Sequence, residues 1–335
     1  MKILFIRLSS IGDIVLTTPL YRCTRQHLPQ AEIHVLTKAA FREVLAANPY
    51  IDQIHVFEKD IAEVIPELQA QKFDYVADLH HNLRTLKVKQ SLRVKKTFSF
   101  PKRNIGKWVL ANLRVNVLPD ESIVERYFET LRPLGVRNDG QGLDYFIPES
   151  DKTRQDDLPF GHLAGFVGCV IGGSYETKKL PVAQWIAVCG QLSYPVVLLG
   201  GREDRAMGEL IAASAPGKIY NACGKFTFNE SADLVRRSRV VISNDTGLMH
   251  VAAAFKKPVI SLWGNTVPEF GMFPYYGFNN LKDRVAPQSV IIERKDLGCH
   301  PCSKLGYSRC PRGHFKCMNT LDAAQIAAAA AEKWS

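Results

Sequence analysis

Residues 243–264 read SNDTGLMHVAAAFKKPVISLWG, and the run RVVI at 239–242 stands directly before them. This order predicts a buried strand, a turn at 244–247, a short helix and a second strand over 258–262. Asp245 or Thr246 can cap the helix, because either side-chain oxygen can accept a hydrogen bond from a free amide of the first turn. Such a turn lies at the carboxyl edge of a parallel sheet, where α/β proteins bind ligands. Its free amides, the helix dipole and His250 would suit a phosphate, although a plain helix cap explains the same residues.

The N-terminus has the same pattern. Residues 3–6 are the apolar run ILFI, residues 9–13 are the small-residue loop SSIGD, and a helix is predicted from residue 14 onward. Asp13 stands at the start of that helix, where the dipole favours an acid, so it could serve only as a cap. It would also stand at the carboxyl edge of the first strand, where an α/β enzyme places a working carboxylate.

The length of the chain and the position of its Gly-, Pro- and polar-rich stretch predict two α/β domains. Strand–helix alternation fills the first part of the 335 residues, and it resumes after a Gly-, Pro- and polar-rich stretch at 135–160. We therefore predict a first domain over residues 1–155, a second over 156–321 and a terminal alanine-rich helix over 322–335. The pattern also predicts uninterrupted helices over 61–71 and 122–134.

No apolar run approaches the roughly 18 residues of a membrane span, and Arg7 interrupts the first run, which argues against a signal peptide. We expect a cytoplasmic protein whose eight cysteines are mostly reduced.

The positive charge of the chain is concentrated in one stretch. Residues 79–119 contain ten of the 43 basic residues and no acidic one, whereas the rest of the chain balances 33 acidic residues with 33 basic ones. Such a block points to an anionic partner, and a solvated face is the alternative. Aromatic residues in the block are few and no nucleic-acid motif is present, so we expect an anionic lipid head group at a membrane surface and no nucleic acid.

Taken together, these segments resemble glycosyltransferase family 9, the lipopolysaccharide heptosyltransferases. The matching stretches are, in order, residues 2–4 with 9–13, 172–174 with 178–181 and Trp185, 198–201 with 203–204, and 245–250 with the alanine run, Pro258 and Gly264. Each motif alone is weak, but the ordered set is specific. The resemblance implies a GT-B fold, in which two Rossmann-like domains face each other across a cleft, and a last helix that packs on the first domain.

The resemblance also implies an activity, which is inverting, metal-independent transfer of a heptose from ADP-heptose to the inner core of lipopolysaccharide. The alternatives are another nucleotide sugar or another surface-glycan acceptor. The nucleotide-sugar donor would bind the second domain, and the lipid-linked, phosphorylated acceptor would bind the first. The protein would then be peripheral to the inner membrane.

The roles of individual residues follow from the same resemblance. Asp13 matches the catalytic aspartate and would be the general base, which we expect partial burial to assist by raising its pKa. Lys178 matches the lysine on the donor diphosphate, and Lys179 could substitute, although both could be ordinary solvated lysines. The other expected donor-binding residues are Ser174, Glu203, Asp245, Thr246, Gly247 and His250. The expected acceptor-binding residues are Ser10, Gly12, Arg84, Lys95, Lys96, Lys102 and Arg103.

A cysteine cluster near the C-terminus departs from this picture. Cys299, Cys302, Cys310 and Cys317 have nearly the spacing of a structural zinc site, but the second pair is not Cys-x-x-Cys. We favour reduced thiols over a structural zinc and expect no cofactor in catalysis.

Two rival functions explain less of the sequence. A Rossmann dehydrogenase would need Gly-x-Gly-x-x-Gly where residues 9–14 read SSIGDI, and a nucleic-acid-binding protein would leave the donor motifs unexplained.

Overall fold

The computed structural model describes residues 1–278, 280–281 and 288–334 and contains two parallel sheets. The elements of the first part of the chain are β1 (Lys2–Ile6), α1 (Ile11–Val15), α2 (Thr18–His27), β2 (Glu32–Lys38), β3 (Gln53–Phe57), α3 (Ile65–Ala70), β4 (Tyr75–Asp78), α4 (Leu83–Leu92), β5 (Lys96–Ser99), α5 (Asn104–Leu113) and α6 (Ile123–Phe128). Those of the second part are β6 (Val167–Val170), α7 (Val182–Gln191), β7 (Val196–Leu199), α8 (Arg205–Ala212), β8 (Ile219–Asn221), α9 (Phe228–Arg237), β9 (Val240–Asn244), α10 (Gly247–Ala254), β10 (Val259–Trp263), β11 (Ser289–Glu293), α11 (Lys316–Asn319) and α12 (Ala323–Glu332).

The chain divides into two compact units. The first unit comprises Met1–Lys102, Glu121–Phe146 and Tyr276–Phe278, and the second comprises Arg103–Asp120, Ile147–Tyr275 and Asn279–Ser335. Helix α5 and the residues after it therefore belong to the second unit, although they fall within the range predicted for the first domain. Among the described residues, no helix is both long enough and apolar enough to cross a membrane.

Each unit is built on its own sheet. The first sheet has the order β3-β2-β1-β4-β5 and the second has the order β11-β10-β9-β6-β7-β8, and every strand pair is parallel. In the first sheet Ile3 pairs with both Ile33 and Tyr75. Central strands of this kind are buried on both faces, which explains their continuous apolar runs. The predicted α/β class with two parallel-sheet units is confirmed.

Short 3₁₀ segments interrupt the regular elements. They are Ala39–Val44, Ile61–Val64, Glu129–Leu134, Glu149–Asp151, Phe160–His162, Glu176–Lys178, Arg202–Asp204 and Pro268–Phe270. The helices predicted over 61–71 and 122–134 are each divided into a 3₁₀ segment and an α-helix. Proline explains both divisions, because Pro66 lies in the first turn of α3 and Pro133 lies inside the 3₁₀ segment after α6.

The terminal helix packs in the second unit, and its return to the first domain stays a prediction. Ile326, Ala327 and Ala330 form its buried stripe and belong to the same apolar cluster as Trp185 of α7. Asp322 caps the helix by accepting a hydrogen bond from the Ala324 amide at 2.8 Å. Small alanine side chains allow close helix packing, which places this helix against α7 beside the second sheet.

Candidate active site

In the first unit, the loop after β1 positions a carboxylate at the carboxyl edge of the sheet. Asp13 lies in the first turn of α1, and its two oxygens have different partners. Oδ1 lies 2.5 Å from Nη2 of Arg7, and Oδ2 accepts hydrogen bonds from the Ser10 amide at 3.2 Å and the Ser10 hydroxyl at 2.9 Å. The side chain of Asp13 is therefore held in one orientation while remaining 20% exposed.

The ionisation of Asp13 differs from the expectation. Burial by itself would raise the pKa of this carboxyl, but the charge of Arg7 and the hydrogen bonds from Ser10 outweigh burial and hold the pKa below its ordinary value. The expectation of a raised pKa is wrong, because the carboxylate is buried together with a cation. Asp13 is thus ionised over the whole neutral range.

Arg7 is a residue of this site that the sequence reasoning missed. Its side chain is 8% exposed, donates from Nε to the Ser9 carbonyl at 2.9 Å, and donates from Nη1 to the Leu79 carbonyl. The guanidinium carbon lies 5.7 Å from the centre of the Tyr127 ring. These contacts fix the cation that pairs with Asp13. The sequence feature that could have identified Arg7 is its position as a single cation directly after an apolar strand.

Histidine 80 adds a neutral ring to the same edge. His80 follows β4, and burial, together with the positive charges of Arg7, Lys102 and Arg84, lowers its pKa to about 4, while Asp13 opposes the shift. The imidazole is therefore neutral near pH 7. Arg84 lies in the first turn of α4 directly after β4, and Lys102 follows β5, so both lie towards the carboxyl edge of the first sheet, and their role in acceptor binding stays a prediction.

The rest of the expected acceptor set is dispersed. Lys96 begins β5 and pairs with Tyr75, so Lys95 and Lys96 lie at the amino edge of the sheet, opposite to the edge with Asp13. These two lysines are therefore distant from Asp13, since a parallel strand separates its two ends by about 3.3 Å per residue, and their role in acceptor binding stays a prediction. Arg103 precedes α5 in the second unit. Ser10 binds Asp13, and Gly12 is buried within α1.

In the second unit, the turn after β9 brings the expected donor residues together. The ammonium of Lys178 lies 2.5 Å from Oδ2 of Asp245, and the Thr266 hydroxyl donates to the same oxygen at 2.9 Å. Thr246 and Gly247 follow at the start of α10. A cation, a carboxylate and a helix N-terminus therefore meet at the carboxyl edge of the second sheet, where a phosphate group and sugar hydroxyls could both be bound.

Lysine 179 has a different set of partners from its neighbour. Its ammonium lies 2.9 Å from Glu176 and 3.1 Å from Asp204, and these two acids raise its pKa against the opposing effect of burial. Asp204 is buried and also accepts a hydrogen bond from the Gly201 amide at 3.0 Å. Lys179 thus stabilises the loop that holds Lys178. Glu203, beside Asp204, is exposed.

The glycine loop after β6 closes around these residues. A Cβ atom on Gly172 would lie 2.5 Å from a carboxylate oxygen of Asp204, and one on Gly173 would lie within 3.6 Å of both Lys179 and Thr246. At Gly172 only glycine allows this approach without displacing the Asp204 side chain, whereas a Cβ atom on Gly173 would make ordinary van der Waals contacts. Ser174, the next residue, is exposed, whereas His250 in α10 is 1% exposed.

Asn244 joins the strand ends under the loop and was also missed from the sequence. Its side-chain amide donates to the carbonyls of Ile171 at 3.0 Å and Gly172 at 3.2 Å, and its oxygen accepts from the Leu180 amide at 3.2 Å. The side chain is fully buried. One amide therefore fixes the glycine loop, the end of β9 and the segment after Lys179. The sequence feature that could have identified Asn244 is its position as a polar residue at the end of an apolar strand.

The cysteine cluster packs on the lysine loop. All four cysteines are free thiols, and Cys317 is the buried member. Burial raises the pKa of Cys302 to about 11 and that of Cys317 to about 12, so these thiols are protonated. Within the ranges 1–278, 280–281 and 288–334, no three His, Cys, Asp or Glu side chains are grouped as metal ligands. The Tyr307 amide donates to the Thr177 hydroxyl at 2.8 Å, which connects this segment to the residue before Lys178.

The sequence of the chain is similar to those of known sugar transferases. A sequence profile described as glycosyltransferase family 9 (heptosyltransferase) matches residues 61–304. Lipopolysaccharide heptosyltransferase 2 of Escherichia coli K12 is 25% identical over 299 residues, which cover 81% of this chain and 84% of that protein. Lipopolysaccharide heptosyltransferase 3 of the same strain is 27% identical over 277 residues, covering 76% and 80%.

Solved structures have the same fold over nearly the full length. A family 9 glycosyltransferase from Veillonella parvula superposes with a TM-score of 0.78 at 25% identity and covers 99% of this chain and 96% of that one. The E. coli ADP-heptose lps heptosyltransferase II superposes with a TM-score of 0.73 at 22% identity, covering 100% and 98%. These similarities confirm the predicted GT-B class.

Proposed function

Because the chain belongs to glycosyltransferase family 9 and is a glycosyltransferase, we propose that it transfers a heptose from ADP-heptose to the inner core of lipopolysaccharide, with inversion at the sugar. The observation that carries this proposal is the group of Lys178, Asp245, Thr246 and Gly247 at the carboxyl edge of the second sheet. It offers a cation and free amides for a diphosphate and a carboxylate for sugar hydroxyls. The proteins of known name that this chain resembles include lipopolysaccharide heptosyltransferases 2 and 3.

On the donor side, Lys178 would exchange one anion for another. Its ammonium is bound to Asp245. In the proposed complex the donor diphosphate replaces Asp245 as the partner of the Lys178 ammonium. Asp245, still bound by Thr266, then accepts hydrogen bonds from the sugar. Negative charge grows on the leaving diphosphate as the glycosidic bond breaks, so the lysine stabilises the transition state more than the ground state.

On the acceptor side, Asp13 would accept the proton of the attacking hydroxyl. The new bond joins the acceptor oxygen to the anomeric carbon, the bond from that carbon to the diphosphate breaks, and ADP leaves with the electron pair. Oδ1 is bound by Arg7, so Oδ2, bound by Ser10, is the atom proposed to take the proton. Arg84 and Lys102 would bind the anionic acceptor, and the enzyme would work at the inner surface of the inner membrane.

Donor identity is tested by the thermal shift that nucleotide sugars produce. ADP-heptose at about a hundred times its dissociation constant should stabilise the protein by about 2.7 kcal/mol. UDP- and GDP-sugars serve as controls. A larger shift with one of these controls than with ADP-heptose would refute the proposed donor.

The role of Asp13 is tested by transfer assays on Asp13→Asn. The variant should lose about 10²- to 10⁴-fold in turnover and keep donor binding, because the base acts on the acceptor hydroxyl. Asp60→Asn is the matched control, since Asp60 is an exposed helix-capping carboxylate of the same unit and accepts from the Ala62 amide at 2.9 Å. Equal turnover in both variants would show that Asp13 acts as a helix cap and not as the general base.

A further inference from the structure

The loop between β4 and α4 is fixed on both sides of His80. The carboxylate of Asp78 is fully buried, and its Oδ1 accepts hydrogen bonds from the His80 amide at 3.1 Å and the His81 amide at 2.7 Å. Its Oδ2 lies 2.9 Å from the Lys89 ammonium and accepts a hydrogen bond from the Thr85 hydroxyl at 2.9 Å. One buried carboxylate therefore holds the start of the loop against α4.

The residues after His80 hold the other end of the loop. The backbone of His81 is left-handed, with φ of 51°, and its ring donates from Nδ1 to the Phe100 carbonyl at 3.1 Å. Asn82 caps α4 by accepting a hydrogen bond from the Thr85 amide at 3.0 Å. The polar side chains on both sides of His80 are thus used to fix the backbone of the loop.

The same loop is connected to Asp13 through Arg7. The Leu79 amide donates to the Ile6 carbonyl at 3.1 Å, and the Leu79 carbonyl accepts a hydrogen bond from Nη1 of Arg7. Nη2 of this guanidinium lies 2.5 Å from Oδ1 of Asp13. His80 therefore directly follows a residue that binds the same cation as Asp13, at the carboxyl edge of the first sheet.

The side chain of His80, unlike its neighbours, does not help to hold the loop. Nδ1 of its ring is buried and has no hydrogen-bond partner among the described residues. The ring as a whole is partly exposed, and Nε2, the nitrogen farther from the backbone, is not among the buried atoms that lack a partner. Buried polar atoms in native structures are nearly always paired, so this ring requires an explanation other than the stability of the loop.

The burial of Nδ1 favours one tautomer of the ring. A neutral imidazole has one N–H donor and one acceptor nitrogen. A proton on Nδ1 would be a buried donor without an acceptor, which is rarer in native structures than an acceptor without a donor. A proton on Nε2 can instead form a hydrogen bond with water or with a ligand. His80 then presents an N–H donor at the edge where Asp13 presents a carboxylate oxygen.

We propose that His80 is an acceptor-binding residue, whose Nε2–H donates a hydrogen bond to an oxygen of the acceptor saccharide while Asp13 takes the proton of the attacking hydroxyl. This role rests on the proposed transfer reaction and adds a determinant of acceptor choice. A carboxylate and an N–H donor together match an acceptor with two oxygens, one that gives up a proton and one that accepts a hydrogen bond. An acceptor that lacks the second oxygen would leave the N–H unpaired and would be used less well.

Steady-state kinetics of the whole protein with ADP-heptose and inner-core lipopolysaccharide test this role. His80→Ala should raise the acceptor KM about three- to tenfold and leave the donor KM unchanged, because one hydrogen bond to the acceptor is lost. His80→Gln should keep the acceptor KM within about twofold of the wild type, since its terminal amide reaches the position of Nε2. His80→Asn places its amide only at the position of Nδ1 and should behave like His80→Ala.

The matched control is His27→Ala. His27 ends α2 in the same unit, and its ring donates from Nδ1 to the Cys23 carbonyl at 2.9 Å. This substitution removes a partly buried imidazole that has a structural hydrogen bond. It should leave both the acceptor KM and the donor KM unchanged.

Nitrogen NMR of the histidine rings gives a readout that does not depend on activity. In protein with isotope-labelled histidine, the ring signals of His80 are those that disappear in His80→Gln. They should show a neutral ring with its proton on Nε2 near neutral pH, and adding inner-core lipopolysaccharide should shift the Nε2 signal.

Three results would overturn the role of His80: an unchanged acceptor KM in His80→Ala, an equal loss in His80→Gln and His80→Asn, or a proton on Nδ1 in the NMR spectrum. Each of these results leaves the transfer reaction itself intact. A wild-type protein that transfers no heptose from ADP-heptose would instead refute the proposed function, and the acceptor-binding role with it.

Discussion

Replacing Arg7 by glutamine tests how this cation contributes both to the stability of the loop after β1 and to the ionisation of Asp13. Arg7→Gln removes the cation and keeps a side chain of similar length. It leaves the carboxylate of Asp13 largely buried, with only the hydrogen bonds from Ser10. Two effects should follow, a loss of folding free energy and a rise in the pKa of Asp13.

The size of each effect follows from the geometry. Removing one partner of a buried ion pair typically destabilises a protein by about 3–5 kcal/mol, and the partial exposure of Asp13 places the expected loss at the lower end, about 3 kcal/mol. An adjacent arginine lowers an aspartate pKa by about 1–3 units, so its removal should raise the pKa of Asp13 by a similar amount, since burial then acts with less opposition.

The pH dependence has a definite sign. In the wild type the folded pKa of Asp13 lies below its ordinary value of 3.8, so this residue stabilises the fold above that pH and loses the contribution as the pH falls through the lowered value. The acid limb of kcat/KM, which reports ionised Asp13 in the free enzyme, should therefore lie at low pH. In Arg7→Gln this limb should move upward by about 1–3 pH units.

The measurements are urea denaturation at neutral pH and kcat/KM from acid to neutral pH. Arg25→Gln is the control, because Arg25 lies 2.6 Å from Asp52 in the same unit but does not contact Asp13. This control should lose some stability without moving the acid limb. An acid limb at the same pH in Arg7→Gln and the wild type would refute the assignment of the pKa shift to Arg7.

Three further predictions concern the donor, the acceptor and metals. Lys178→Ala should raise the donor KM and lower kcat, giving a loss of about tenfold or more in kcat/KM, and unchanged donor kinetics would exclude this lysine from the diphosphate site. Arg84→Ser should raise the acceptor KM, most strongly at low salt, whereas Lys96→Ser at the opposite edge of the sheet should not, and equal effects would contradict this placement. Activity should survive EDTA, and stoichiometric zinc in elemental analysis would contradict free thiols in the cysteine cluster, with chelator-induced unfolding identifying a structural metal.

Local patterns in the sequence were sufficient for the fold and for part of the site. Apolar runs that end in small polar loops predicted where β1 and β9 end, and parallel pairing then placed Asp13 and Asp245 at carboxyl edges. Lys178 was predicted from the resemblance to the family, and the structure places its ammonium 2.5 Å from Asp245. These inferences depend on short segments whose conformation is decided by neighbouring residues.

The remaining features depend on contacts between distant residues. The sign of the Asp13 pKa shift could not be predicted, because it depends on whether burial or the Arg7 charge has the larger effect. The basic residues of the block do not share one edge of the sheet, because the short strand β5 places Lys96 at the amino edge and Ser99 at the carboxyl edge. Sequence composition records that charges are close along the chain, and it does not record which end of a strand they occupy.

The ionised state of Asp13 constrains when the proposed proton transfer can occur. A carboxylate with a lowered pKa is a weak base, so it cannot remove a proton from a free hydroxyl before the reaction begins. It becomes competent only as the acceptor oxygen bonds to the sugar and grows acidic, which couples the proton transfer to departure of the diphosphate. Arg7 therefore weakens Asp13 as a base while ensuring that it is unprotonated at every neutral pH. In the proposed mechanism, most of the barrier must then be lowered where the leaving group is bound, at Lys178 and the start of α10.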